Sequence, residues 1–446
     1  MKQLRILMIS LLLILTVSAI VITATVDAEK HDIRFTETII SGDPAYADGL
    51  SVSVRARYGS ALHWDITHTI DIAEPKTESH FSLFATGDEY EIHKRFYLCV
   101  ARELLIATAY PNGDRLPSAW SSGVMYPLRN EFEALWDTAK QHGSAHETIL
   151  LSDYYEYYPV ENFLSISGMD RTQYDAINEF FRIPVLTREQ RRLSVTVEDG
   201  TTRFSIQPYG IYFDFTTQSA FTDDACYFVF DNKAIGTSAR VDTTMIPGGY
   251  GIYRIPLHTN GAPETVYPLA EETNILTLEI SEDGELLYLI TEENGEGHLT
   301  VIDVATMTAV YEYKATEKLY DKILKGENFI LLHLNDAYEL ITIENGVYRK
   351  AFSFQYCYSH SLNDASLSYR DGKLTIADPL RIHSAEPVGV GFSVAVYGDT
   401  GLLFHGEYDC NLDHPYVDLT REQSGWLTYR LDPITIGQHR RSDQVS

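Results

Sequence analysis

Positively charged residues are scarce in this sequence. It contains 35 Lys and Arg against 63 Asp and Glu, which gives a formal net charge of -28 at pH 7. A nucleic-acid phosphate backbone would be repelled by such a surface, so the charge excludes a nucleic-acid-binding protein. It also argues against a module that lies flat on anionic lipid. The simplest interpretation of the acidic surface is solubility.

The sequence also lacks the short motifs that mark common catalytic and cofactor sites. It has no Walker-type phosphate loop, no GxGxxG opening a helix, no HExxH and no G-x-S-x-G elbow. The segments DNKAIGTSARVD and ISEDGELLYLI do not have the spacing of an EF-hand. Carboxylates are so numerous that acid and base pairs cannot be selected from sequence. No cofactor is therefore predicted, and no catalytic residue is assigned.

Long hydrophobic runs are absent except near the N-terminus. Residues 6–26 hold 21 positions without a charge, preceded by Lys2 and Arg5 and followed by Asp27. Such a run is long enough to cross a bilayer as one helix, and the positive residues before it predict a cytoplasmic N-terminus. We expect a cytoplasmic stub at 1–5, a transmembrane anchor at 6–26 and an extracytoplasmic domain at 27–446. A cleaved signal peptide is the alternative, although the run exceeds the usual length of about 7 to 15 apolar residues.

The stretch from Ile275 to Tyr408 contains three successive copies of one four-strand pattern. The copies read ILTLEI, ELLYLI, HLTVID, AVYEY; then LYDKIL, FILLHL, AYELITI, VYRKAFSF; then ASLSY, LTIAD, GFSVAVY, LLFHGEY. The first-turn glycines Gly284, Gly326 and Gly372 are 42 and 46 positions apart. Four short strands in about 40 to 50 residues predict a propeller blade, since one small sheet buries its faces only against neighbours. A β-sandwich is the alternative.

The rest of the chain predicts further strands and a small helical insertion at about residues 118–182. In PLRNEFEALWDTAKQHG the apolar residues fall on one helical face, and TQYDAINEFF predicts a second short helix. One of the last segments, GWLTYRL or ITIGQ, is expected to pair with an N-terminal strand, which would remove exposed sheet edges. The predicted fold is mainly β, a β-propeller of about seven four-stranded blades with a small helical insertion, preceded by one N-terminal transmembrane helix.

Several segments carry a resemblance to known proteins. They include SGDPAYADGLSVSVRARYGSALHWDITHTI, LSDYYEYYP, FFRIPVL, DDACYFVFDN, IPGGYGIYRIP and LTVIDVATMT. Together they resemble a group of uncharacterised, membrane-anchored extracytoplasmic β-propeller-like proteins of Gram-positive gut bacteria. The resemblance implies a location and a fold but supplies no activity.

Two classes of function remain open. The first is a membrane-tethered extracytoplasmic binding or interaction module for an unknown protein, peptide or glycan. The second is an extracytoplasmic carbohydrate-active hydrolase or lyase on a propeller scaffold, and fold alone cannot choose because propellers host both. Binding residues concentrate on long loops of rigid scaffolds. The longest such loops are predicted at Asp231 to Gly249 and at Ala377 to Gly391, and the candidate ligand-binding residues are Arg240, Asp242, Arg381 and His383. The alternative is that these are solvated loop residues.

Cysteine is rare, and the chain has four: Cys99, Cys226, Cys357 and Cys410. In an exported protein, four cysteines could form two disulfides. The pattern Cys357-x-x-His360 with Cys410-x-x-x-His414 has ligand types that suit zinc. Both segments follow a fourth strand, one blade apart, so they are expected to lie too far from each other for a bridge or a four-ligand site. The sequence predicts four thiols and no metal.

The segment HWDITH contains a second group of metal-ligating residue types, His63, Asp65 and His68. In a strand, His63 and Asp65 share one face while His68 points to the other. Ordinary packing is therefore the favoured interpretation of this group.

Overall fold

The structure is a computed structural model. It describes residues 11–18, 20–21, 33–58, 62–83, 96–101, 104, 107–111, 123–164, 171–258, 261–315, 319–335, 337–357, 362, 365–380, 391–411 and 430–438. The chain divides into two compact units. Residues 1–89 and 323–446 form the terminal unit, and residues 90–322 form the central unit.

The predicted anchor at 6–26 is described only in part. Residues 11–18 and 20–21 are helical, and the remaining positions of the predicted anchor lie outside the described residues. Within the described part of the chain, the structure contains no helix with both the length and the apolar character needed to span a bilayer.

The described elements are 27 strands and two α-helices beyond the N-terminal segment. The first strands are β1 (Phe35–Gly42), β2 (Leu50–Tyr58), β3 (Leu62–Ile70) and β4 (Lys76–Leu83). The next are β5 (Phe96–Val100), β6 (Ala107–Pro111), β7 (Ser144–Leu150), β8 (Val160–Leu164), β9 (Gln190–Glu198), β10 (Thr201–Tyr209), β11 (Thr216–Phe221), β12 (Ala225–Asp231), β13 (Gly251–Pro256), β14 (Glu264–Pro268), β15 (Asn274–Ile280), β16 (Leu286–Glu293), β17 (Glu296–Asp303) and β18 (Thr308–Lys314). The last are β19 (Leu319–Gly326), β20 (Phe329–Leu334), β21 (Tyr338–Glu344), β22 (Val347–Phe354), β23 (Ser366–Arg370), β24 (Lys373–Pro379), β25 (Gly391–Gly398), β26 (Gly401–Cys410) and β27 (Arg430–Gln438). The helices are α1 (Arg129–His142) and α2 (Arg171–Phe180).

The described residues of the central unit form three four-stranded antiparallel sheets and one strand pair. Their strand orders are β6-β10-β9-β7, β11-β12-β13-β14, β15-β16-β17-β18 and β5-β8. The two predicted helices are confirmed as α1 and α2. Helix α1 buries Phe132 and Leu135 and ends at Gly143, whose φ of 82° suits glycine. The segment at 118–182 is more than a helical insertion, because it also supplies β7 and β8 to the sheets.

The terminal unit holds sheets that join the two ends of the chain. The orders are β27-β2-β3-β4 and β1-β26-β25-β24-β23, and the sheet β19-β20-β21-β22 begins at the boundary between the units. Strand β27 contains ITIGQ and pairs with β2, with Val52 opposite Ile436. The prediction that a C-terminal segment pairs with an N-terminal strand is therefore confirmed.

The three sequence repeats fold as three antiparallel sheets in which strands follow one another in chain order, so the predicted strands are confirmed. Two details differ. The segment TEENGEG is mostly strand, because Asn294 and Gly295 alone make the turn with φ values of 52° and 83°. Gly326 ends β19 rather than forming a turn, and a Cβ there would lie 2.2 Å from the Phe329 ring. This glycine is therefore required by packing.

The cores are aromatic and aliphatic. In the central unit, the Phe228 and Phe230 rings lie 5.5 and 5.7 Å from that of Tyr253. In the terminal unit, the rings of Phe392 and Tyr408 stack at 5.0 Å. Aromatic pairs at such separations add stabilisation beyond the burial of their area. The chain is thus mainly β, with four-stranded antiparallel sheets as its repeated unit.

Candidate functional site

A polar cavity of about 190 Å³ lies in the terminal unit. Its walls come from the connection between β1 and β2, from the turn between β23 and β24, and from strands β25 and β27. The charged and aromatic side chains that line it are Tyr46, Asp48, Arg370, Asp371 and Lys373. Its apolar lining is provided by Leu50, Val396 and Ile436.

Hydrogen bonds near both ends of the connection between β1 and β2 fix its backbone conformation. The Asp43 carboxylate accepts from the Ala45 amide at 3.0 Å, which caps a 3-10 turn over Pro44–Tyr46. The Gly49 amide donates to the Ile70 carbonyl at 2.7 Å. The backbone of Tyr46 is therefore fixed, while its side chain remains 40% exposed.

The opposite wall is a tight hairpin turn. Asp371 and Gly372 both have positive φ, 49° and 74°, which is the conformation of a two-residue type I′ turn. The turn places Arg370 opposite Lys373 in the ladder. The Lys373 Nζ lies 5.3 Å from the centre of the Tyr46 ring, within the range of a cation–π contact. Two segments that are distant in sequence therefore meet at this cavity.

The cavity offers hydrogen-bond donors and acceptors side by side. Lys373 and Arg370 only donate, whereas Asp371 and Asp48 only accept when ionised. The Asp48 carboxylate already accepts from the Ile72 amide at 3.2 Å. A ligand that both donates and accepts, with a face that can lie against an aromatic ring, matches this lining.

Arg240, one of the predicted ligand-binding residues, lies in the connection between β12 and β13. Its Nη2 donates to the Glu272 carbonyl at 2.7 Å and to the Asn274 side chain at 2.6 Å, and its Nη1 donates to the Asn232 side chain. Asp231 lies 3.8 Å from Nη1. The guanidinium thus ties its own loop to the start of β15, and its contact with a ligand stays a prediction.

The other three predicted residues have no described contact with Arg240. Asp242 is exposed and accepts from the Thr244 amide at 2.9 Å and hydroxyl at 2.6 Å. These hydrogen bonds hold the pKa of the Asp242 carboxyl below its usual value. Arg381 and His383 lie outside the described residues. The structure therefore brings no two of the four together within its described part.

The cysteines are all thiols in the structure. Cys357 follows β22 and is exposed, and its Sγ lies 3.9 Å from Nε2 of His405 on β26. The residue is exposed as a whole, but its thiol is partly buried, and this burial raises the pKa of the Cys357 thiol. Burial lowers the pKa of the His405 imidazole. Sequence reasoning considered His360 and His414 as neighbours of cysteine, and both lie outside the described residues. It missed His405, because that residue is 48 positions further along the chain and belongs to a different sheet from β22.

His68 of the HWDITH segment is buried, with 4% of its surface exposed. Its Nδ1 lies 3.0 Å from the Thr77 hydroxyl, and its ring lies 4.9 Å from that of Phe35 and 5.5 Å from that of Tyr408. Burial lowers its pKa from 6.5 to about 4. His68 is a packed core residue, and the side chain of His63 lies outside the described part of the chain.

A buried ion pair in the central unit escaped sequence reasoning. Arg191 and Glu189 are both fully buried, with Nη2 of the arginine 2.5 Å from the carboxylate. Glu189 also accepts from the Tyr158 hydroxyl and from the Phe213 amide, the latter at 3.1 Å. Burial raises the pKa of Glu189, and the Arg191 charge opposes that rise. The network connects β9 to two segments outside its sheet.

No family model matches the chain, and no curated protein matches it. Among solved structures it is similar to TolB from Acinetobacter baumannii, at 9% identity over 88% of this chain and 84% of that chain, with a TM-score of 0.26. The β-propeller domain of Cps50 (Swd1) from Myceliophteria thermophila matches at 12% identity over 50% and 94%, with a TM-score of 0.23. The N-terminal domain of Nup159 matches at 12% identity over 48% and 57%, with a TM-score of 0.25, so the chain spans little more than half of that structure. TM-scores this low do not assign the chain to any of these folds, and its sheets are defined by their own strand pairing.

Proposed function

We propose that the protein is an extracytoplasmic binding module that recognises a glycan through the polar cavity of the terminal unit. The observation that carries the proposal is the meeting of Tyr46, Lys373 and Asp371 at one cavity. Convergent polar groups beside an aromatic side chain are a recurring feature of sites that orient a small molecule.

Charge balance in the cavity supports a neutral polyhydroxylated ligand. Two carboxylates and two cationic side chains line it, so an ion of either sign would meet like charge as well as opposite charge. Sugar hydroxyls donate and accept, and they can use both kinds of side chain. With a volume of about 190 Å³ the cavity has room for several water molecules, whose hydrogen bonds the hydroxyl groups of a sugar can replace.

The tether is part of the proposal and rests on the sequence. Residues 6–26 carry no charge, and Lys2 and Arg5 precede them, which is the pattern of an anchor with the C-terminal domain outside the membrane. The resemblance to anchored proteins of Gram-positive gut bacteria supports the same location. We further propose, from the sequence repeat, that the four-stranded sheets are blades of a propeller of about seven.

A binding screen tests this function. The purified full-length chain is titrated with a panel of cell-envelope and host mono- and oligosaccharides, with binding followed by calorimetry. We expect at least one saccharide to bind, and Tyr46→Ala to weaken it about tenfold through loss of the aromatic face. Tyr209→Ala is the matched control, because Tyr209 is 50% exposed and lies in the central unit. Binding that Tyr46→Ala leaves unchanged would contradict the use of this cavity.

The carbohydrate-active enzyme is the second candidate, since Asp48 and Asp371 both line the cavity and glycoside hydrolysis uses a pair of carboxylates. The bound saccharide is incubated with the chain, and products are separated by chromatography. Cleavage that Asp371→Asn abolishes would establish the enzyme, whereas binding without cleavage supports the module.

A further inference from the structure

The thiol of Cys357 and the imidazole of His405 form a pair outside the cavity. Cys357 comes three residues after β22 ends, and its amide donates to the Tyr397 hydroxyl at 3.1 Å. His405 is 5% exposed and sits in the middle of β26, opposite Ala395 of β25 and Ser41 of β1. His405 is therefore positioned by its sheet, and Cys357 is positioned by a hydrogen bond to Tyr397 of the same sheet. The distance between the two side chains is thus determined by the fold.

The surroundings of this pair are negative. Two carboxylates lie near this pair. Glu407 is two positions from His405 on β26. Asp378 is fully buried and accepts from the hydroxyl of Tyr356, the residue before Cys357, at 2.9 Å. Such a field opposes a thiolate nucleophile, which is activated beside positive charge. It favours a cation at the same place.

The distance between the two side chains suits one bridging metal ion. Sγ and Nε2 lie 3.9 Å apart. With bonds of about 2.3 Å to sulfur and about 2.0 to 2.1 Å to nitrogen, an ion bonded to both would have an angle of about 125 to 130° between them. This angle is wider than that of a tetrahedron and close to that of a trigonal site. Cys357 is exposed as a residue, so the pair lies at the surface of the terminal unit.

We propose that Cys357 and His405 bind a soft monovalent ion, Cu(I), at the surface of the terminal unit. Thiolate sulfur selects Cu(I) and zinc, and imidazole suits both metals. Structural zinc takes four protein ligands, and catalytic zinc takes three and a water. Cu(I) accepts two or three ligands, so this pair with one solvent or ligand atom completes its shell. Binding displaces the thiol proton to solvent, and no electron is transferred.

Anaerobic competition with bathocuproine disulfonate tests the site. The reduced full-length chain is titrated against the Cu(I) complex of that chelator, whose colour reports the metal it retains. We expect one Cu(I) per chain to be withdrawn, a loss of at least 100-fold in affinity for Cys357→Ser, and about 10-fold for His405→Gln. Cys99→Ser is the matched control, because Cys99 is a thiol of intermediate exposure in the central unit.

Alkylation gives an independent readout that does not need a variant of the buried histidine. N-ethylmaleimide is expected to modify Cys357 in the apo chain, and one equivalent of Cu(I) is expected to protect it, as mapped by peptide mass spectrometry. Equal Cu(I) affinity in Cys357→Ser would overturn the site. Absence of protection would overturn it as well, and tighter binding of Zn²⁺ than of Cu(I) would overturn the choice of metal. None of these outcomes depends on saccharide binding in the cavity.

Discussion

Arg240 and Lys373 are both cationic and both lie in or beside a connection between strands, but their side chains have different contacts. In the central unit, the guanidinium of Arg240 donates hydrogen bonds to the Glu272 carbonyl at 2.7 Å and to the Asn274 side chain at 2.6 Å. Lys373 in the terminal unit faces a cavity, and its only described side-chain contact is the Tyr46 ring.

The difference lies in the hydrogen-bonding capacity that remains for a ligand. Most of the N–H donors of Arg240 are engaged by acceptors of the fold, so a ligand would have to compete with them. The three donors of Lys373 have no described acceptor within the protein, and they can be used by a ligand or by water. We therefore expect a charged residue to contact a ligand only where the fold leaves its donors available.

Substitution of the fully buried cation, Arg191, is expected to have the largest effect on stability. Arg191→Ala should destabilise the protein by about 3 to 5 kcal/mol, because it leaves the Glu189 carboxylate buried without its counter-charge. Urea unfolding of the unmodified chain and of Arg191→Ala measures this loss of unfolding free energy. Glu189→Gln combined with Arg191→Ala removes both charges and should lose less than the single variant. An equal loss would show that the pair contributes through packing alone.

The buried imidazole of His68 should make the stability of the protein depend on pH. The pKa of His68 is about 4 in the folded state and 6.5 ordinarily, so between these values the unfolded chain binds more protons. The stability contribution of neutral His68 is therefore complete above pH 6.5 and is lost as the pH falls towards 4, by about 3 kcal/mol. Urea unfolding from pH 7 to 4.5 should show this slope, and His68→Gln should flatten it. An unchanged slope in the variant would assign the acid sensitivity to other groups.

Arg240→Ala should cost about 2 kcal/mol of unfolding free energy. The substitution removes a partly exposed network and leaves the Asn232 and Asn274 side chains and the Glu272 carbonyl without their donor. Thermal unfolding measures the loss. Arg240→Lys is the control, since one ammonium cannot serve all three acceptors and should recover only part of the stability. A neutral alanine variant would contradict the structural role.

Lys373→Ala should change the unfolding free energy by less than about 0.5 kcal/mol, because the residue makes one cation–π contact at an accessible site. The same thermal unfolding assay measures it. A loss comparable with that of Arg240→Ala would show that Lys373 is part of the scaffold, and the contrast between the two residues would disappear.

The sequence alone predicted the strands of the repeated region well. Local alternation of apolar residues and the turn residues at Gly284 and Gly372 are sufficient to place β15 to β26, because such signals act within a few residues. The pairing of one C-terminal segment with an N-terminal strand was also predicted, since it removes exposed sheet edges, but the sequence did not identify β27 and β2 as the pair.

The candidate site could not be predicted in the same way. Tyr46 and Lys373 are 327 positions apart, and only the register of the sheets brings them to one cavity. The same holds for Cys357 and His405. Loop length identified Arg240 as a candidate, but it carries no information on whether a guanidinium is already hydrogen-bonded. Residue type and spacing report local structure, whereas sites depend on contacts between distant segments.

The most direct test measures saccharide affinity in Lys373→Ala and Arg240→Ala side by side. Calorimetry is performed on both full-length variants with the saccharide that binds most tightly in the screen, at a temperature where both are folded. We expect Lys373→Ala to weaken binding about tenfold, since a charge-assisted hydrogen bond is lost, and Arg240→Ala to bind as the unmodified chain does. Unchanged affinity in Lys373→Ala together with weakened affinity in Arg240→Ala would contradict the proposed site.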